Sequence, residues 1–285
     1  MFLHLFYNNC FFSCSIDGKF QPSKATAEKD KIISSYQNIG LEHNSILANY
    51  YNEVTQATQQ GESEAEIFYN FFGNTEDSIR FELTGTLSNG RSVMGTDTLV
   101  EVMVANDLVS TSSAEYILKV ESIINNPTDD IDDMLARIVT IQYEALDTLT
   151  GTSLDEFMAY AETAKSSLNF WALNIEELMN SEIPIVIIPN TNNNQRNIFD
   201  DIKKAWNKYK NQIAMAAASD AAGAAAGAAF GAAIGSSIPG VGTAAGAAVG
   251  AVVAGAASSE EGFRTGKLCI IIPLTKIERD INNKK

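Results

Sequence analysis

The sequence predicts a mainly α-helical protein: an acidic helical bundle, then an Ala/Gly-rich helical hairpin, with a small two-stranded β ribbon pairing 183–188 with 268–272. Three observations lead there. Apolar residues recur at steps of three and four through much of the first two-thirds of the chain, the period of a helix with one buried face. Glycines recur at every fourth position among alanines between 221 and 259. Two isoleucine-rich runs, each ended by proline, have the length and composition of strands. With 285 residues, 45% of them hydrophobic and 19% charged, the chain is long and apolar enough to bury a core, which excludes global disorder.

The amino terminus, 1–14, is apolar and aromatic as far as Phe12 and turns polar at Ser15. A spanning helix needs about 20 apolar residues, so this stretch is too short to cross a bilayer. Its form is that of the later part of an export signal. Phe11-Phe12-Ser13-Cys14 resembles the lipobox of bacterial lipoproteins, a bulky apolar residue and a small one before the cysteine that becomes the lipidated first residue. The resemblance implies that Cys14 carries the lipid, that membrane lipid is a partner through it, and that the protein is exported and anchored in the bacterial cell envelope. Cys10 would be discarded and Cys269 left as the remaining thiol. Two features depart from such a signal: no Lys or Arg precedes Cys14, and Asn8-Asn9 interrupt the apolar run; a start codon assigned too far downstream would explain both. A linker, 15–27, follows.

The acidic helical domain, 28–182, holds 27 Asp+Glu against 7 Lys+Arg. Ile32, Tyr36, Ile39, His43, Ile46, Leu47, Tyr50 and Val54 share one helical face. Three further stripes follow: 116–124, 131–149 beginning at Ile131 and Met134, and 154–179 centred on Phe157, Leu168 and Trp171. Ser63…Glu66, Ser112…Glu115 and Ser153…Glu156 have the spacing of capping boxes, in which two side chains satisfy orphan backbone N–H groups. Pro127 and Gly151 separate the later helices, and Asp129, Asp130, Asp132 and Asp133 crowd a helix start, where exposed N–H dipoles favour carboxylates. These aspartates lack the alternating ligands, central glycine and final glutamate of an EF-hand loop. The segment 81–91 reads as a loop or small hairpin.

A strand and Asn-rich linker, 183–197, marks a domain boundary. Next, 198–213 is an amphipathic helix in which Lys203, Lys204, Lys208 and Lys210 surround Trp206 and Tyr209. Lysines mixed with aromatics suit a membrane interface, with rings at headgroup level. The same helix equally suits a solvated role that complements the acidic body.

In the hairpin, 214–259, no charged residue occurs from 221 to 259. Gly223, Gly227, Gly231 and Gly235 line one helical face, Pro239-Gly240 supplies a turn, and Gly242, Gly246 and Gly250 resume the spacing. Four-residue spacing lets a second helix approach until backbones nearly touch. This pattern resembles a glycine zipper, found in membrane-embedded helices, envelope proteins and pore-forming peptides such as some two-peptide bacteriocins. The resemblance implies membrane association, helix–helix assembly or self-association through the glycine face. The alternative is a soluble hairpin packed on the body. The tail, 260–285, begins polar and contains the second strand.

Several function classes drop out. A formal net charge of -15 leaves no cationic footprint for nucleic acid. Gly240-Val241-Gly242…Gly246 follows a helix arm and a proline rather than a strand, and Gly266-Lys267 lacks the first glycine and the hydroxyl residue of a P-loop, so no nucleotide site is expected. Two histidines and three cysteines give no metal centre, and no cofactor is expected. The expectation is a non-enzymatic envelope lipoprotein. The alternatives are a secreted bacteriocin-like or toxin-like pore-former and a hydrolase using His43.

Overall fold

Helix-forming residues with apolar positions every third or fourth residue dominate the chain, and the computed structural model is mainly α-helical. It describes residues 24–72, 78–82, 96–180, 195–237, 242–265 and 269–283. The expected export signal with Cys14, the linker 15–23 and the strand 183–188 lie outside these.

The first helix, α1 (Lys24–Gln59), runs for 36 residues and turns Ile39, His43, Leu47 and Tyr50 inward. At the other end of its sequence stripe Ile32 is exposed. After Gly61, which takes a φ of +87 that L side chains rarely adopt, α2 (Glu64–Phe72) begins at a complete capping box. The Ser63 N–H donates to Glu66 Oε2 at 3.1 Å and the Glu66 N–H donates back to Ser63 Oγ at 3.3 Å. Phe68 and Phe72 then pack their rings on Tyr50.

Past β1 (Ser78–Glu82) come α3 (Thr96–Ala105), α4 (Thr111–Ile124), α5 (Ile131–Ala145) and α6 (Gly151–Asn180). Asp130 caps α5, accepting the Asp132 N–H at 3.0 Å, with Asp132 and Asp133 in the first turn; this is the helix-start use the sequence suggested. The other two expected capping boxes are replaced. Ser110, not Ser112, caps α4. Glu156 reaches across to that cap instead of to Ser153, accepting from Ser110 N–H at 2.9 Å, Ser110 Oγ at 2.8 Å and Ser113 Oγ at 2.6 Å. Sequence spacing cannot distinguish a cap on its own helix from a carboxylate lent to a neighbour.

The basic segment and the first glycine arm form one helix, α7 (Gln195–Ser237), of 43 residues, about 65 Å long at the standard rise. It packs along α6 and doubles back as α8 (Thr243–Thr265), which also touches α1. The ribbon is antiparallel but joins β2 (Cys269–Pro273) to β1, with Arg80 opposite Ile271. A strand at 78–82 was not anticipated. The chain ends in α9 (Leu274–Asn283), whose Ile277 and Ile281 enter the same hydrophobic core as Leu47, Phe157, Trp171 and Val253.

Candidate functional site

The hairpin is built on glycine. Gly231 and Gly246 oppose each other so closely that a Cβ on either would overlap the other's carbonyl oxygen, and Gly227 and Gly250 do the same one turn along. A Cβ at Gly235 would lie 2.6 Å from the Gly242 oxygen, and one at Gly223 the same distance from the Ala254 oxygen. Only glycine permits that approach. Gly242 departs from the expected set. It takes a φ of +80 at the start of α8, its carbonyl accepts the Gly246 N–H at 3.2 Å, and the position of its missing Cβ is open. It is a capping residue whose carbonyl, not its bare face, meets α7.

Both glycine faces are therefore used against each other within one chain. The rest of the hairpin is covered: every residue of α7 from Ala216 to Ala228 is buried. The 200–237 stretch is long and apolar enough to cross a membrane by length and composition, and its most apolar 18-residue window is 83% buried inside the fold. Towards the turn the cover ends, leaving Ala233, Ser236, Ser237, Ala244 and Ala245 exposed.

Where α1, α6, α7 and α8 meet, a polar cluster is sealed in the core. His43 of α1 and Asp220 of α7 are both fully buried, with His43 Nε2 3.7 Å from Asp220 Oδ2. The same carboxylate oxygen accepts from the Ser167 hydroxyl and, at 2.9 Å, from Trp171 Nε1, both on α6. Burial raises the Asp220 carboxyl above its ordinary range, while His43, Ser167, Ser259 and Trp171 pull it back without cancelling that effect. His43 Nδ1 lies 3.0 Å from Asn44 Oδ1, and the Asn44 amide donates to the Ser166 carbonyl at 3.0 Å. Two glycines let the helices close on this cluster. A Cβ at Gly255 would sit 3.0 Å from His43 Cδ2, and one at Gly40 would sit 2.6 Å from the Glu162 carbonyl.

The basic helix turns its indole inward and leaves Lys203, Lys204 and Lys208 exposed. Trp206 is 1% exposed and donates to the Thr128 carbonyl at 3.0 Å, so its ring fills the core. Lys203 lies 3.5 Å from Asp132, Lys208 2.9 Å from Glu176, and Lys210 contacts Asp129. Lys208 also stands over the Tyr209 ring at 4.6 Å, and its hydrogen bond holds Glu176 below the ordinary carboxylate range. Lys204 is exposed and acts on the same carboxylate. The helix complements the acidic body, because nearby carboxylates neutralise its lysines while the indole fills the core.

Sequence reasoning picked out His43 but missed Asp220, Ser167, Trp171, Ser259, Gly40 and Gly255. One signal was present: Asp220 is an acid embedded in alanines at the edge of a 39-residue stretch free of charge, where only a buried partner would make it tolerable. Among the described residues no group of His, Cys, Asp and Glu is arranged to hold a metal ion. Comparison with protein-family models, with curated proteins and with solved structures finds no match to this chain.

Proposed function

We propose that this chain is a non-enzymatic lipoprotein of the bacterial cell envelope, held to the membrane by lipid on Cys14, in which the glycine-seamed hairpin is the assembly element of the acidic body. The observation that carries the assembly role is the mating of Gly227 with Gly250 and of Gly231 with Gly246 beneath a cover of α1 and α6. A helix pair joined backbone to backbone is rigid, and it offers the other helices one continuous apolar surface. The lipobox-like Phe11-Phe12-Ser13-Cys14 supports the anchor. His43 supports a structural role, because a base sealed from solvent has no access to substrate or water.

A second reading is favoured by the lack of charge over 221–259: an inserting or pore-forming element stored within the body, released where lipid replaces α1 and α6 as its cover. One experiment separates the two. Cells expressing the wild type and Cys14→Ser, both behind the same intact export signal, are labelled with palmitate, fractionated and extracted with alkaline carbonate. The anchor reading expects labelled wild type in the membrane and unlabelled Cys14→Ser in the soluble fraction. Unlabelled wild type overturns the lipid anchor, and carbonate-resistant Cys14→Ser replaces the assembly role with insertion.

A further inference from the structure

Two ionisable groups sealed together in a dry core leave the site neutral only when they hold one proton between them. That proton can sit on His43, giving an ion pair, or on Asp220, giving two neutral groups. The other side chains facing Asp220 are Ser167 and Trp171 from α6 and Ser259 from α8, with Asn44 beside His43 on α1; none of these ionises in the relevant range. The nearest buried ion pair on α6, Glu162 with Lys165 at 2.7 Å, is closed on itself and on Gln142 of α5. A second proton, or the loss of the first, therefore leaves one uncompensated charge at the point where four helices meet, and an isolated buried charge is strongly unfavourable.

We propose that His43 and Asp220 are a one-proton clasp that fastens the α7–α8 hairpin under α1, holding it tightest in mildly acidic surroundings and loosening it as they turn alkaline or strongly acidic. The clasp rests on the packing of these four helices and not on the lipid anchor, so absence of palmitate labelling leaves it standing.

The sign follows from counting protons in the folded and unfolded chain. Unfolded, an aspartate titrates near about 3.9 and an imidazole near about 6.5. Between those values the unfolded pair also holds one proton, and stability is level. Above about pH 6.5 the unfolded pair has lost a proton that the folded pair keeps, so stability falls as pH rises; below about pH 3.9 it gains one that the folded pair refuses, so stability falls again. Each limb has a slope of one proton, about tenfold in the unfolding equilibrium constant per pH unit.

The single variants differ in what they leave in the core. His43→Gln leaves a lone carboxyl raised by burial, so its stability declines with rising pH from about pH 4 instead of about pH 6.5. Asp220→Asn removes the carboxyl, so the decline that His43→Gln shows above about pH 4 is absent. The test is urea unfolding of the full-length chain and both variants from about pH 4 to about pH 8, followed by helix ellipticity. Protection of the α7 and α8 amides, corrected for the intrinsic pH dependence of exchange, reads the loosening above about pH 6.5. Different profiles for the two variants, with hairpin protection in the wild type falling above about pH 6.5, support the clasp. Parallel profiles overturn it. Should neither variant fold at any pH, the wild type decides alone. A fall of about tenfold per unit between about pH 6.5 and about pH 8 supports the proposal, and a flat line there overturns it.

Discussion

At the residue scale, the glycines divide into those that make contact and those that make a turn. Gly231 and Gly250 have a partner's carbonyl where a side chain would begin, so substitution must push two helices apart. Gly231→Leu is expected to lower stability by about 1–3 kcal/mol, the range for an overpacked core. Ala245→Leu, on the exposed face of the same hairpin, should stay within about 0.5 kcal/mol. Urea unfolding of the two variants checks this, and equal losses would mean that the seam is not where the hairpin is held. The seam was legible in the sequence because it is a spacing rule. His43 and Asp220 lie 177 positions apart with no spacing rule between them, and only folding shows that they meet.

At the element scale, local chemistry and borrowed chemistry give different legibility. The Ser63–Glu66 box lies within one turn, so the sequence states it completely, and Ser63→Ala should cost about 1 kcal/mol. Glu156 illustrates the opposite. Its carboxylate serves the cap of α4, 46 residues earlier, and joins two helix starts that the sequence treats as independent. Glu156→Gln keeps the shape but loses the charge-assisted acceptor. It is expected to cost more than Ser63→Ala, about 1.5–3 kcal/mol, because the site is buried. Thermal unfolding of the two variants orders them, and the reverse order would show that Glu156 belongs to α6 alone. Helix α6 also carries Glu162, Thr163, Lys165, Ser166 and Ser167 on buried faces, although its apolar stripe suggested one wet side. It is surrounded by α1, α4, α5, α7 and α8; Glu162 and Lys165 pair with each other and with Gln142 of α5, and Ser167 donates to Asp220 of α7.

At the scale of the whole molecule, the expected division between an acidic body and a separate hairpin meets a continuous core. Ala221, Val249 and Val253 belong to the same buried cluster as Leu47, Ile138 and Phe157. Hairpin and body are therefore expected to unfold together. The two tryptophans, Trp171 on α6 and Trp206 on the basic half of α7, are both buried, so indole fluorescence should follow the same urea transition as helix ellipticity. A fluorescence midpoint separated from the ellipticity midpoint would restore two independent units.

The sequence alone determined the helical character, the glycine seam, the first capping box, the aspartate-rich start of α5 and the absence of charge from 221–259. Each is written within a few turns of one helix, where spacing is geometry. Tertiary structure decided what covers the hairpin, which strand pairs with β2, where the lysines of α7 find their counter-charges and which acid lies beside His43. Those choices depend on which faces meet after the chain has turned back on itself, and a face open to several partners is assigned by packing the whole core, not by any one helix.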